Sequence, residues 1–193
     1  MYSRQLKLMG NIVLFTIYGI ILFAPAFTAN PGAVITGGHF IMDMGKTYKG
    51  KRILGDGKSW SGFIGGSLIG VLSGIIIYYA VDFLNIPYPD YGKNILEAVL
   101  VLIPMSFGSL LGDISGSFIK RRIGMKRGAK GSILDQWPFV IVSFLLVFIF
   151  ARNFFMSIYG DLLPIIVILI ITPPIHRGVN ILAYKFKMKD VPW

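Results

Sequence analysis

The chain is 193 residues long, 54% hydrophobic and has a formal net charge of +10, with no cysteine. A soluble domain of this length could not bury so much apolar surface, which comes in long blocks, so membrane residence is the leading class. The absence of cysteine excludes disulfides and thiolate zinc sites. The positive charge sits in two short loops and a tail, each against an apolar block, and that placement argues against a nucleic-acid groove.

Met9 to Ala29 is the first apolar block, and about 20 such residues cross a bilayer as helix. Arg4 and Lys7 precede it, and Ala24-Pro25-Ala26 resembles a leader cleavage site. Cleavage there would leave the basic Lys46–Lys58 segment outside, so the block is read as a crossing. Residues 30–61 form a polar, Gly-rich, basic loop, too long for a turn and of a length that carries function. Phe63 to Leu84 is the second block. Gly62, Gly66, Gly70 and Gly74 recur at every fourth position and make a bare ridge for a neighbouring helix. Asn85 to Asn94, with Pro87 and Pro89, is an external turn.

Ile95 to Leu111 is the third block. Gly108, Gly112 and Gly116 repeat the four-residue spacing, which predicts packing of the second and third helices through the two ridges. Homodimerisation through one ridge is the alternative. Residues 112–136 are the second charged segment. Trp137 to Ala151 is a short fourth block unless it extends through Phe155. Leu162 to Ile171 is a short fifth, broken by Pro173-Pro174, and the tail Ile175–Trp193 reads as an interfacial helix. The expected fold is one all-α integral membrane domain over 1–193 with five transmembrane helices and two ordered loops forming the site. Fifteen of the nineteen Lys and Arg fall in the two loops and the tail. The positive-inside rule then puts the N-terminus outside, and both loops and the C-terminus in the cytoplasm.

On a helix of about 100° per residue, Ser117 lies about 40° from Asp113, Lys120 about 20° the other way and Arg121 about 80° round. Carboxylate, hydroxyl, ammonium and guanidinium share one face. Arg122 points away from it and is assigned to lipid phosphates. Carboxylates in or beside a membrane are costly and usually functional. Asp135, beyond the basic loop, could converge with Asp113 to hold Mg²⁺, which takes hard oxygen ligands and keeps water or phosphate in its other positions. Gly55-Asp56-Gly57-Lys58-Ser59 invites comparison with a P-loop, but Arg52 stands where that pattern needs Gly, and no strand precedes it. Glycine-flanked amides and a lysine can still cradle phosphate. His39 and His176 are far apart in sequence and read as structural. An inventory rich in cations and poor in bases suits an attacking group that is already ionised, such as a phosphate.

Asn30-Pro31, Asp43-Met44-Gly45, KRILGDGKSWSG at 51–62, GDISGSFIKRRIG at 112–124, Leu134-Asp135-Gln136 and TPPIHRGVNILAYK at 172–185 together resemble the CDP-archaeol synthase family over nearly the whole chain. The order Gly-Asp…Ser-x-x-Lys-Arg…Asp is also similar to the CDP-diacylglycerol synthases. Their closing Asp-Arg-x-x-Asp is here Asp135-Gln136-Trp137-Pro138, without the second acid. The resemblance implies a Mg²⁺-dependent transfer of CMP from CTP to 2,3-di-O-geranylgeranyl-glycerol 1-phosphate, with release of pyrophosphate. In that reading Asp113, Asp135 and Lys120 are catalytic and the two acids hold the metal. Gly55, Asp56, Gly57, Lys58, Ser117, Arg121 and Lys130 bind the nucleotide phosphates, while Asn30, Asp43 and Arg52 lie on the lipid-phosphate or cytidine side. Rival readings are a small transporter of phosphorylated solutes and a CDP-alcohol phosphotransferase. No internal repeat or midplane charge supports the first, and the Asp-Gly-x-x-Ala-Arg pattern of the second is absent.

Overall fold

The computed structural model describes residues 2–125 and 133–188. Its helices are α1 (Tyr2–Leu22), α2 (Ala24–Thr36), α3 (Trp60–Phe83), α4 (Ile95–Arg122), α5 (Ile133–Gln136), α6 (Pro138–Phe150), α7 (Arg152–Tyr159) and α8 (Leu162–Lys185). A two-stranded antiparallel hairpin, β1 (Thr47–Tyr48) and β2 (Lys51–Arg52), lies in the α2–α3 loop. Four stretches are long and apolar enough to cross a membrane: Gly10–Thr36, Trp60–Phe83, Ile95–Arg122 and Leu162–Lys185. The Pro138–Phe150 helix is apolar but shorter. Leu68, Leu72, Ile76, Leu100, Ile141, Leu145 and Ile170 all point outward, as hydrocarbon solvent requires.

Three expectations change. The first helix does not end at Ala29: α2 runs to Thr36 and takes Asn30 and Pro31 into its interior, so the loop starts at Gly37. Likewise α4 continues to Arg122, leaving residues 112–122 helical. The chain also does not break at Pro173-Pro174, because α8 carries both prolines in one 24-residue helix. Where water is scarce, leaving the helix would strand more amides than the two that proline removes, so such prolines are tolerated.

The glycine ridges also have different partners from those expected. A Cβ on Gly66 would come within 2.6 Å of Ala29 O in α2, and one on Gly70 within 2.6 Å of Ser106 Oγ in α4. The first ridge therefore packs α3 against both α2 and α4. The second ridge faces α6 and α5, with Pro138 O 2.2 Å from a Cβ at Gly112 and Leu134 O 2.4 Å from one at Gly116. Both ridges are covered within the chain. Small residues let these backbones approach closely.

The first crossing is broken at Phe23. Pro25 supplies no N–H, and the Ala26 amide bonds to Phe23 O instead of continuing the ladder. The Leu22 carbonyl this frees is answered from elsewhere, by the buried Tyr91 hydroxyl donating at 2.8 Å, and Tyr159 adds a second donor at 2.9 Å to Gly19 O, which also accepts from Phe23 N–H. Around the break Phe23 stacks on Phe144 at 4.5 Å, and Tyr91 stacks on Phe154 at 5.5 Å. The core thus gathers at the α1–α2 break, and the charged loops lie towards the other end of α2.

Candidate active site

The α2–α3 loop is built on one buried carboxylate. Asp43, whose side chain is 1% exposed, accepts from Arg52 Nη2 at 2.7 Å and Arg52 Nε at 3.2 Å. It also accepts the N–H groups of Gly45, Leu54 and Gly55 at 3.1, 3.0 and 2.9 Å. The Arg52 guanidinium, helped by these amides and opposed by burial, holds the Asp43 carboxyl well below the usual carboxylate range. Gly55, in the left-handed region at φ 96°, then turns the chain, and the Lys58 amide bonds back to Gly55 O at 3.2 Å. Lys58 O in turn accepts from Met42 N–H at 2.9 Å. Ser59 caps α3 by accepting from Gly62 N at 3.2 Å.

Helix α4 brings the second half. Asp113, Ser117, Lys120 and Arg121 line one cavity of about 540 Å³, together with Gly55, Gly57 and Lys58 from the loop. The shared face expected from the helical period is the face that lines the cavity. Lys58 forms an ion pair with Asp113, joining the two charged segments, and Lys120 forms one with Asp135 of α5. Ser117 is buried. Arg121 donates from Nη1 to Met125 O at 2.6 Å, and its Nε is buried with no hydrogen-bond partner among the described residues.

The remaining walls come from α2 and α8. Asn30 lines the cavity and donates to Ser109 Oγ at 2.9 Å. Phe27, Val34 and Ile35 of α2 and Val179, Leu182 and Ala183 of α8 together make an apolar flank of the cavity lining. Among the described residues α2 and α8 are not closely packed on each other, so this flank separates two helices that are each long enough to span a bilayer. His176 and Asn180 line the same cavity, 3.2 Å apart between Nδ1 and Nδ2, and His176 stacks on Phe139. Sequence reasoning gave His176 a structural role only and did not single out Asn180. The expected tail helix from Ile175 already puts these two residues on one face; what the sequence lacks is any signal that this face meets Phe139 and lines the cavity.

Other expected site residues lie elsewhere. Asp43 and Arg52 face each other and do not line the cavity, and Asp56 pairs with Arg52 at 2.7 Å. Arg122 is not directed at lipid: it donates to the hairpin carbonyls of Tyr48, Lys51 and Arg52 at 2.9, 3.2 and 2.6 Å. Its guanidinium also lies over the Tyr48 and Phe118 rings. Lys130 lies outside the described residues. Among the described residues no three His, Asp or Glu side chains are grouped to hold a metal ion. Asp113 lines the cavity and pairs with Lys58, whereas Asp135 pairs with Lys120 and is not part of the cavity lining.

A cavity lined by both cationic and apolar side chains, in a chain with four helices long and apolar enough to cross a membrane, is the kind of site a membrane-embedded protein presents to an amphiphilic anion. A solved structure described as an intramembrane enzyme for archaeal membrane lipid biosynthesis has this fold, with a TM-score of 0.66 and 30% identity, over 84% of this chain and 92% of that one. The family model "CarS-like: CDP-archaeol synthase" matches residues 9–193. The CDP-archaeol synthase of Picrophilus torridus is 70% identical over 185 residues, 96% of this chain and all of that one. The Pyrococcus horikoshii CDP-archaeol synthase is 42% identical over 170 residues, 88% of this chain and 92% of its own length. This chain belongs to the CDP-archaeol synthase family.

Proposed function

We propose that this protein transfers CMP from CTP to the phosphate of 2,3-di-O-geranylgeranyl-glycerol 1-phosphate, giving the CDP-activated ether lipid and pyrophosphate. An oxygen of the lipid phosphate attacks the α-phosphorus in line, the bond to the β-phosphate breaks, and pyrophosphate leaves. The nucleophile is ionised at neutral pH, so no protein base is required. The protein's work is to bring two polyanions together and offset their charge. Lys58, Lys120 and Arg121 do this around the triphosphate, and the unpartnered Arg121 Nε supplies one more donor. Ser117 and the Gly55–Gly57 amides add hydrogen bonds. Asp113 and Asp135 are the ligands for Mg²⁺ that arrives on the nucleotide and neutralises phosphate charge. The isoprenoid chains occupy the apolar flank between α2 and α8.

The observation that carries this reading is the Lys58–Asp113 pair across the two charged segments, at a cavity lined also by apolar residues of α2 and α8. Five crossings, with the N-terminus outside and the site facing the cytoplasm, fit the charge bias. They also agree with the C-terminal half of α8 meeting α4 at the same cavity, which requires the chain to return through α6 and α7. The test is purified membranes given labelled CTP and a panel of ether and ester lipid phosphates, with and without Mg²⁺. The expected product is a CDP-lipid, formed fastest from the geranylgeranyl ether and only with the metal. Nucleotide left unchanged with every lipid would refute the reading, as would equal labelling without Mg²⁺ for the metal assignment.

A further inference from the structure

We infer that Asp43 and Arg122, neither of which lines the cavity, are positioning residues that preform the Gly55–Lys58 segment as a phosphate-binding turn and fix it on α4. The inference rests on the reading of that segment as a phosphate site, though not on the identity of the nucleotide.

Asp43 fills its acceptor sites from two stretches of the loop downstream of it. Gly45 reaches it from just downstream, and Leu54 and Gly55 from the far side of the hairpin. Its neighbour Met42 bonds to Lys58 O. One short segment, 42–43, therefore grips both ends of the turn, at Leu54–Gly55 and at Lys58. Arg52 closes the ring by bridging Asp43 and Asp56. A buried carboxylate with this many donors is charge-assisted and geometrically exacting. An amide in its place would turn an NH₂ towards groups that are themselves donors.

Arg122 connects this loop to the other half of the site. It extends from the last residue of α4 to three carbonyls of the hairpin, while Lys51 Nζ donates back to Arg122 O at 3.4 Å. Asp113, Ser117, Lys120 and Arg121 belong to the same helix. A tie at the helix end thus sets where Lys58 stands relative to them, at a point nine residues, or about 13 Å of helix rise, from Asp113. Displacement of about 1 Å among reacting groups can cost about a hundredfold, so rigid support here bears on phosphate placement.

The experiment titrates full-length detergent-solubilised protein with inorganic tripolyphosphate by calorimetry. The same variants are then assayed for KM towards CTP and towards the lipid phosphate. Asp43→Asn is expected to weaken tripolyphosphate binding by about ten- to a hundredfold and to raise the KM for CTP in parallel. Its KM for the lipid phosphate should stay within about twofold of wild type. Arg122→Gln should move the same quantities in the same direction, and Arg122→Lys should recover part of the loss. Wild-type tripolyphosphate affinity in folded Asp43→Asn would overturn the inference, as would an equal rise in both KM values, which marks a general loosening. Should Asp43→Asn not fold, the Arg122→Gln titration decides alone. Tripolyphosphate carries no nucleoside, so wild type that binds it yet leaves CTP unchanged would refute the cytidylyl-transfer reading and leave this test intact.

Discussion

Gly112 is where packing and chemistry are most tightly joined, one residue from Asp113. A Cβ at Gly112 would lie 2.2 Å from Pro138 O and 2.5 Å from Phe139 Cα, against 3.4 Å for ordinary contact. Gly112→Ala therefore forces α4 and the start of α6 apart by about 1 Å, since a backbone atom cannot rotate away as a side chain can. Overpacking of this kind costs about 1–3 kcal/mol, and the backbone contacts place it at the upper end. For a chain of this size about 3 kcal/mol lowers Tm by about 6–12 °C. The same displacement separates α4 from α5, which holds Asp135 next to Lys120, and should lower kcat by about a hundredfold. Thermal unfolding in detergent and turnover of labelled CTP measure the two effects. Gly178→Ala, whose Cβ would meet nothing within 4 Å, is the control and should keep both values. Wild-type Tm and turnover in Gly112→Ala would refute the claim that this ridge sets the site.

Asp113→Asn should leave the protein folded and inserted but lower turnover by about a hundredfold or more, and a near-normal rate would remove Asp113 from the metal role. Tyr91→Phe leaves Leu22 O without its hydroxyl donor, so it should cost about 1–3 kcal/mol with the KM values unchanged; an unaltered melting curve would refute that role. The depressed Asp43 carboxyl adds stability that is present above the unfolded value of about 4 and lost as pH falls through the lower folded one. Asp43→Asn should accordingly flatten the acid limb of a stability-versus-pH curve below about pH 4, and an unchanged limb would show that another group governs it.

Much of this architecture follows from patterns along the chain. The apolar blocks mark the middles of the four stretches long enough to cross a membrane though not their ends, and the fifth expected crossing is the shorter Pro138–Phe150 helix; the helical period sets Asp113, Ser117, Lys120 and Arg121 on the face that lines the cavity. What a period cannot give is the identity of the opposing surface. Arg122 was correctly turned away from its neighbours, yet what it meets is a hairpin seventy residues upstream and not lipid. The second glycine ridge was recognised as a close-packing surface, but its partner is α6 and not α3. Asp43 reads as one more loop acid until its donors, up to twelve residues away, are assembled around it. Pro173-Pro174 misleads as a helix end when proline's cost is judged as in water, and nothing along the tail itself says that His176 and Asn180 face the cavity.

The two lysine–aspartate couples, Lys58–Asp113 and Lys120–Asp135, bear on how fast the protein can let go. Any polyphosphate that reaches either ammonium must displace a carboxylate already bound to it, so each new contact is gained against an old one. Entry becomes an exchange of partners with a small net yield. On the proposed reading, the acids would take their lysines back as pyrophosphate and its metal leave, which would shorten the stay of a product that bare cations would hold.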